Sequence, residues 1–519
     1  MKNFMSKRTP VLMIGLDGGE ATLIERLCSE GKLPKLKSLK EQGCFGILEA
    51  NATTFSGGVW PTFYTSSAVP WHGIYHNKLW RAEHMRCEVV NRSWLPARPF
   101  WEVLDKEKYR IVIIDVPMTL AAPKPLDGVH LSGWATHDLL TKGSWPPYLW
   151  KQVSKEFGRP VMAPEFFGPQ SSSTLLRLRD NLNEGTEQIV RISELLAEQE
   201  PWDLFLVVLG ATHRGGHYLW NISQIDKDGL QPGVIHDLEN ALVNIYQACD
   251  QGIARLIEKA PNAANVLIFA VHGMGLNPGW SDRCPAILTK IQQKGKDVPA
   301  KSGILYQVRK VLPWRVIRQV TQRLPQKFLN SLVPLWSANM FDWNTTRYFP
   351  LPMDQAGYLR INLKGREPKG IVEPGYEYDL IIRELKEAFL SFRDIKSGEP
   401  IVREVFCLDD IAPKDALYRE VLPDLVVTWG DVSAIHCDGI RSDRYGELRW
   451  KTAGKLPSGR SGNHNDKGWF LAVGDDIRPG FCTERFHIVD LVPTVFRWLG
   501  ARSAKTFQGK PIPLLCASE

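Results

Sequence analysis

The sequence lacks the features of a membrane protein or a disulfide-stapled module. None of its apolar runs approaches the ~18 residues of a membrane-spanning helix, and the run after the basic N-terminus is too short for a signal-peptide core. The nine cysteines are scattered without a Cys-x-x-Cys pair, so neither a disulfide framework nor a thiolate metal site is expected. We therefore expect a soluble chain without a transmembrane segment, located in the reducing cytoplasm.

A strong charge bias and low-complexity tracts are also missing. The 64 basic and 57 acidic residues give a formal net charge of +7, which is modest for 519 residues, and the sequence contains no nucleic-acid-binding motif and no internal repeat. Because 44% of the residues are hydrophobic, the chain can bury a large core. We expect a small anionic molecule as the partner, and no nucleic acid.

Apolar runs of strand length alternate with helical patterns along the chain. Strands are predicted at 10–16, 44–50, 110–116, 203–209, 265–271, 357–363, 424–429 and 469–474. Helices are predicted at about 34–42, 173–199, 236–259, 377–392 and 490–499. This alternation is typical of an α/β fold with a mostly parallel sheet and helices on both faces.

One segment interrupts this alternation. Residues 281–345 are basic, helical in pattern and rich in Trp and Pro, so we interpret them as a helical cap inserted into a core of residues 1–280 and 346–519. The lysines and arginines between 289 and 328 favour either a solvated helical face or a surface for anionic substrates or lipid headgroups. The basic segment Arg360–Arg366 indicates either a substrate contact or an edge strand and turn.

Three predicted strands end close to residues that can bind metal ions. Asp17 follows the first strand, and His272 follows the strand at 265–271. His213 and His217 follow a third strand, which breaks at a glycine into what we expect to be a loop. Since function in open α/β sheets lies at the carboxyl ends of strands, these side chains are expected to meet at one edge.

A fourth imidazole, His464, lies in a polar stretch that predicts a loop. Together, His213, His217 and His464 would suit a zinc ion and leave a position open for substrate. In zinc peptidases an H-x-x-x-H pair lies on a helix, but the Arg-Gly-Gly between these histidines disfavours a helix. Each histidine also has a structural alternative, which is a hydrogen-bonded position in the interior.

Ser56 is the best candidate nucleophile. It precedes two glycines and a predicted helix start, where unpaired backbone N–H groups attract an anion. A serine hydroxyl becomes nucleophilic when a base or a metal lowers its pKa, and a metal held by Asp17 and His272 would do so. The structural alternative for Ser56 is an ordinary helix N-cap.

In their order along the chain, these motifs resemble the alkaline phosphatase superfamily, in particular its type I phosphodiesterase and nucleotide pyrophosphatase branch. The resemblance covers Ile14-Gly-Leu-Asp17-Gly, the run from Ser56 to Thr65, His72-Gly-Ile, the histidine motifs and the closing stretch from Ile488 to Gly500. It implies an alkaline-phosphatase-like core and a metal-dependent phosphoric ester hydrolase, acting on a diester or a monoester through a phosphoseryl intermediate on Ser56.

The resemblance also implies a metal arrangement, with zinc as the expected ion and manganese as the alternative. Two ions would use two sets of ligands, which are His213, His217 and His464 for one and Asp17, Ser56 and His272 for the other.

Three positions depart from the family's pattern. Val271 and His213 stand where the family has metal-binding aspartates, and Val59 replaces an Asn that some nucleotide pyrophosphatases use to hold a phosphate oxygen. Fewer carboxylates favour zinc over harder cations and leave open whether one or two ions bind. Two other functions also stay open: a phosphotransferase that uses an organic acceptor at the same site, and a non-catalytic relative that retains one metal.

Overall fold

A nine-stranded sheet forms the centre of the chain. The computed structural model describes residues 9–91, 98–119, 125–135, 142–161, 166, 168–225, 227–294, 341–352, 355–450, 454, 456–475 and 477–516. Across the sheet the strands are Gly480–His487, Cys44–Glu49, Lys467–Val473, Asn265–Ala270, Val11–Leu16, Leu204–Leu209, Ile111–Ile114, Gly128–Ser132 and Gly143–Trp145. Five of the eight pairings are parallel, which confirms the predicted mostly parallel sheet.

Helices cover both faces of this sheet, as predicted. Alternate residues of Val11–Leu16 enter two separate apolar cores, because successive strand side chains point to opposite faces. One core packs against the helices Ala21–Ser29, Pro34–Gln42, Pro147–Phe157, Ser172–Gln199, Ala211–Leu219 and Pro232–Glu258. The other packs against Val59–Thr65, Val69–His72, Trp101–Lys106, Leu408–Ile411 and Leu491–Leu499.

A smaller antiparallel sheet has a third core. Its strands, in spatial order, are Tyr348–Pro350, Gly357–Ile361, Leu425–Trp429 and Val402–Cys407. The helices Cys284–Gln292 and Tyr376–Leu390 pack into this core, so the start of the predicted cap contacts the small sheet. The rest of the predicted cap, from 295 to 340, lies outside the described residues.

The segment Arg360–Arg366 begins in the interior of the small sheet and becomes exposed at Lys364 and Gly365. The strand Gly357–Ile361 is paired on both sides, so the interpretation as an edge strand is wrong. Arg360 is 1% exposed and donates to Glu367 over 2.8 Å, and Arg366 donates to both oxygens of Asp424 over 2.7 Å. The guanidinium groups therefore face internal carboxylates instead of a substrate.

Short elements complete the described structure. They are the three-stranded sheet Arg393–Asp394, Gly439–Ser442 and Gly446–Arg449, the strand pairs Lys78–Arg81 with Arg86–Val89 and Gly273–Leu276 with Gly462–Asn465, and the 3-10 turns Ser56–Gly58, Ala82–His84, Ile222–Gln224, Arg419–Val421, Ile488–Asp490 and Pro513–Leu515. Among the described residues, no helix has both the length and the apolar character needed to cross a membrane.

Candidate functional site

The three strands that were expected to deliver site residues are neighbours at the middle of the large sheet. Val11–Leu16 pairs in parallel with Leu204–Leu209 on one side and with Asn265–Ala270 on the other. In this register the three carboxyl ends are level. Asp17, the segment that begins at Gly210, and His272 therefore leave the sheet at one edge.

His213 and His217 lie on a helix, so the predicted loop is wrong. The helix Ala211–Leu219 begins directly after its strand, and every residue in it is buried. Residues four apart lie on one helical face, so the two imidazoles lie one turn apart in an edge-to-face arrangement, with ring centroids separated by 4.6 Å and ring planes at 71°.

Tight packing explains why this helix tolerates two glycines. A Cβ atom on Gly215 would lie 2.7 Å from Cδ1 of Ile245, and one on Gly216 would lie 2.9 Å from Cε of Met274. A side chain at either position would force the ends of these neighbouring side chains to shift. Complete burial offsets the intrinsic cost of glycine in a helix, which is about 1 kcal/mol per residue.

His464 also lies in a regular element that the sequence did not predict. The strand Gly462–Asn465 pairs antiparallel with Gly273–Leu276, and His464 is directly opposite Met274. This short ladder fixes His464 beside His272, with ring centroids 4.2 Å apart.

Three imidazole nitrogens converge at one point. Nε2 of His213 lies 2.7 Å from Nε2 of His464 and 3.2 Å from Nε2 of His217. Nδ1 of His217 lies 2.9 Å from the carbonyl oxygen of Gly462, so it carries the ring proton and Nε2 of the neutral ring carries a lone pair. A convergent set of Nε2 atoms, one of them oriented by a backbone carbonyl, fits a divalent cation such as zinc.

Asp17 and His272 adjoin this triad. Oδ2 of Asp17 lies 3.4 Å from Nδ1 of His213, and Oδ1 lies 3.3 Å from Nε2 of His272. Oδ1 also accepts a hydrogen bond of 2.8 Å from the indole of Trp60. Trp60, which the sequence analysis did not identify, lies four residues after Ser56 and links the Ser56 segment to Asp17.

Ser56 begins a 3-10 turn that continues directly into the helix Val59–Thr65, so the predicted helix start is confirmed. The N-cap position of this turn is Phe55, and Ser56 is its first residue, which argues against the N-cap alternative for Ser56. Within the described part of the chain, its buried Oγ has no hydrogen-bond partner. A Cβ on Gly57 would lie 2.7 Å from Cα of His76, so only glycine allows the turn to pack here.

Several residues that the sequence analysis missed tie the segment before Ser56 to the histidine strands. The backbone N–H of Thr53 donates to Asp466 over 2.7 Å, and Tyr358 donates to the carbonyl of Thr54 over 2.7 Å. Burial raises the pKa of the Asp466 carboxyl, whereas the bonds from Thr53 lower it. The amide of Gln355 donates to the carbonyl of His464 over 2.6 Å.

Glu20 joins three of the segments that bear site residues. Its buried carboxylate accepts hydrogen bonds from the backbone N–H of Met274 over 3.0 Å, from the amide of Asn465 over 2.9 Å and from Thr22. The sequence could have indicated Glu20 by its position, because it lies three residues after Asp17 and at the start of a helix. Every described bond to its carboxylate is donated by the partner, so Glu20 functions here as an acceptor.

A model of one protein family matches most of the chain. It describes the type I phosphodiesterase / nucleotide pyrophosphatase family, and the match covers residues 11–438. The chain belongs to this family. It is therefore a hydrolase of phosphoester bonds, as the resemblance implied, and the match includes every site residue named from the sequence except His464.

Solved structures of two other proteins align with nearly the whole chain. Phosphonoacetate hydrolase from Sinorhizobium meliloti 1021, in complex with phosphonoacetate, aligns with a TM-score of 0.50 and 14% identity over 95% of this chain and 96% of that chain. Human ectonucleotide pyrophosphatase/phosphodiesterase 5 aligns with a TM-score of 0.47 and 13% identity over 96% and 97%. At 14% identity the likeness to phosphonoacetate hydrolase concerns the fold alone, and the prediction of an alkaline-phosphatase-like core is confirmed. No curated protein sequence matches the chain.

The chain departs from the resemblance's metal pattern at two buried positions. His213 has become part of the imidazole cluster. Val271 is 0% exposed and belongs to the apolar core that contains Trp60 and Phe269. The place of the second expected aspartate is therefore apolar.

Proposed function

We propose that this phosphodiesterase hydrolyses a small anionic phosphoester through a phosphoseryl intermediate on Ser56, at a site that uses a divalent cation. The observation that carries the proposal is the buried Oγ of Ser56, which has no hydrogen-bond partner in the described structure. Its turn leads into the helix that bonds Asp17 through Trp60, next to the converging imidazoles. A buried hydroxyl without a partner is costly in a merely structural role.

The proposed reaction has two displacements at phosphorus. In the first, the Ser56 oxygen forms a bond to phosphorus, the bond from phosphorus to the leaving oxygen breaks, and the proton lost by Ser56 balances the one that the leaving oxygen gains as it departs as an alcohol. In the second, a water oxygen forms a bond to phosphorus, the Ser56 Oγ–P bond breaks, and Ser56 regains a proton.

His213, His217 and His464 are the proposed ligands of the cation. A divalent cation bound there would lower the pKa of a nearby hydroxyl or water and neutralise charge on the phosphoryl oxygens. Imidazole ligands favour zinc, with manganese as the alternative. A second ion on Asp17, Ser56 and His272 has weaker support, because Val271 offers no carboxylate.

The test is replacement of Ser56. Ser56→Ala should lower the hydrolysis of bis-nitrophenyl phosphate by at least about 10³-fold, because the attacking oxygen is lost. Ser56→Thr keeps a hydroxyl and should retain measurable turnover. Ser193→Ala is the matched control: its buried hydroxyl donates to a backbone carbonyl within the helix Ser172–Gln199, so its loss should leave turnover unchanged.

Mass spectrometry after acid quenching should find a phosphoryl group on the Ser56 peptide. Turnover by Ser56→Ala near the wild-type rate would rule out the assignment. Running the reaction with added alcohols and looking for a phosphorylated alcohol would reveal a phosphotransferase.

The proposal also covers the domain organisation of the chain and its cellular compartment. The segment 281–345 is proposed as an insertion that selects the substrate, with residues 1–280 and 346–519 as the catalytic core. The cytoplasm is the proposed compartment, and it is supported by the nine free cysteines of the structure.

A further inference from the structure

We infer that this phosphodiesterase binds one divalent cation per chain, on His213, His217 and His464, and that Asp17 orients His213 instead of holding a second ion. This inference rests on the proposed function, because it concerns the same site. It predicts a metal count that differs from the two ions implied by the family resemblance.

The first support is the donor set. Of the residues that the structure describes, the group of three or more potential ligands with metal-site spacing is this histidine triad, whose ligand atoms all lie within 4.8 Å of one another. Nε2 of His213 lies 2.7 Å from Nε2 of His464 and 3.2 Å from Nε2 of His217, so the three rings direct nitrogen atoms to a common region. As neutral ligands, they would each offer one nitrogen lone pair to a cation bound there.

The second support is the position of Asp17. Its Oδ2 lies on the Nδ1 side of the His213 ring, whereas Nε2 of the same ring faces the triad. A carboxylate at the far nitrogen of a ligating histidine fixes the ring's orientation and raises its basicity. The other oxygen of Asp17 is already engaged by the indole of Trp60 and lies close to His272. Asp17 is thus placed as an orienting group.

The third support is charge. Two divalent cations a few ångströms apart repel each other, and carboxylate ligands offset that repulsion. Of the three aspartates that the resemblance implies, this chain keeps Asp17 alone, since His213 is neutral as a ligand and Val271 is apolar and fully buried. Glu20 does not replace them, because its carboxylate already accepts bonds from Met274, Asn465 and Thr22.

The experiment counts metal ions without using activity. The purified full-length chain is loaded with excess zinc, or separately with manganese, dialysed and measured by elemental mass spectrometry. We expect one ion per chain in the wild type and none in His217→Gln. Two ions in the wild type would overturn the inference and leave the proposed function standing, whereas no bound ion would overturn the metal-assisted function itself.

One variant tests whether the lack of a carboxylate at position 271 excludes a second ion. Val271→Asp restores the missing carboxylate and should raise the count to two, which manganese electron paramagnetic resonance would show as a coupled pair. If folded Val271→Asp still binds one ion, the missing carboxylate at position 271 is not what limits the wild type to one ion. If this buried substitution prevents folding, the wild-type count still decides the inference.

A second variant tests the role of Asp17. Asp17→Asn should lower the affinity for the single zinc ion by about 10–100-fold while the saturating count stays at one. The matched control is Asp115→Asn. Asp115 is an equally buried carboxylate directly after the strand Ile111–Ile114, and it accepts bonds from the backbone of Trp134 and Ala135. Its replacement should leave zinc affinity unchanged, and an equal loss in both variants would contradict a specific role for Asp17.

Discussion

Two buried polar clusters of this phosphodiesterase differ in how their donors and acceptors match. Beside the small sheet, Arg360 and Arg366 meet Glu367 and Asp424, and each guanidinium faces a carboxylate. Burial opposes the charged form of Asp424, yet Arg366 holds the pKa of that carboxyl below its usual range. At the edge of the large sheet, three imidazole Nε2 atoms face one another.

The difference distinguishes a structural cluster from the proposed cation site. The arginine–carboxylate cluster is complete within the protein, so its contribution is to hold strands and turns in place. The imidazole cluster brings three ring nitrogens to a common region, and the proposed function assigns a divalent cation to it. Burial and polarity alone would not distinguish the two clusters.

The largest effect on stability is expected in the first cluster. Asp424→Asn leaves Arg366 without its full counter-charge in the interior and should lower the free energy of unfolding by about 3–5 kcal/mol, measured by urea denaturation. Asp431→Asn is the control, since Asp431 is 93% exposed in its pair with Arg403, and we expect no measurable change. If Asp424→Asn were as stable as the wild type, the arginine–carboxylate cluster would not have the stabilising role that the comparison gives it.

Adding zinc should raise the free energy of unfolding through the imidazole cluster alone. At a zinc concentration of about 100 times the dissociation constant, the wild-type free energy of unfolding should rise by about 2.7 kcal/mol relative to protein in chelator. His217→Gln should gain nothing, because the triad is incomplete. A folded Asp424→Asn should gain as much as the wild type, and a smaller gain would show that the two clusters are coupled.

A smaller effect on stability is expected from the glycines that lie between His213 and His217 in their helix. Gly216→Ala would normally favour a helix, but its Cβ would meet Met274, so the free energy of unfolding should fall by about 1–2 kcal/mol and zinc affinity should also fall. Gly233→Ala, near the start of the helix Pro232–Glu258, meets nothing within 4 Å and should be neutral or slightly stabilising. A stabilising Gly216→Ala would contradict the packing explanation.

Sequence patterns predicted the parts of the fold that depend on local composition. The apolar runs at 203–209 and 265–271 became buried central strands, and the glycine-rich stretch after Ser56 became a turn and helix start. Such runs are readable because a strand buried on both faces needs apolar residues throughout.

The same patterns failed where long-range packing outweighs local preference. Arg-Gly-Gly between His213 and His217 disfavours a helix, yet the surrounding side chains require small residues there. The strand that carries His464, Gly462–Asn465, is glycine and polar residues throughout, so no alternation of apolar and polar residues indicated it.

The sequence by itself determined the order of strands and helices, the family and the candidate metal-binding and nucleophilic residues, because these follow from residue type and spacing along the chain. Tertiary structure decided which groups meet. It set Nε2 of His213 against Nε2 of His464, 251 positions later, and put Asp17 on the opposite nitrogen of the His213 ring. The physical reason is that strand register and close packing between distant segments fix these contacts, and neither is encoded in any local stretch of residues.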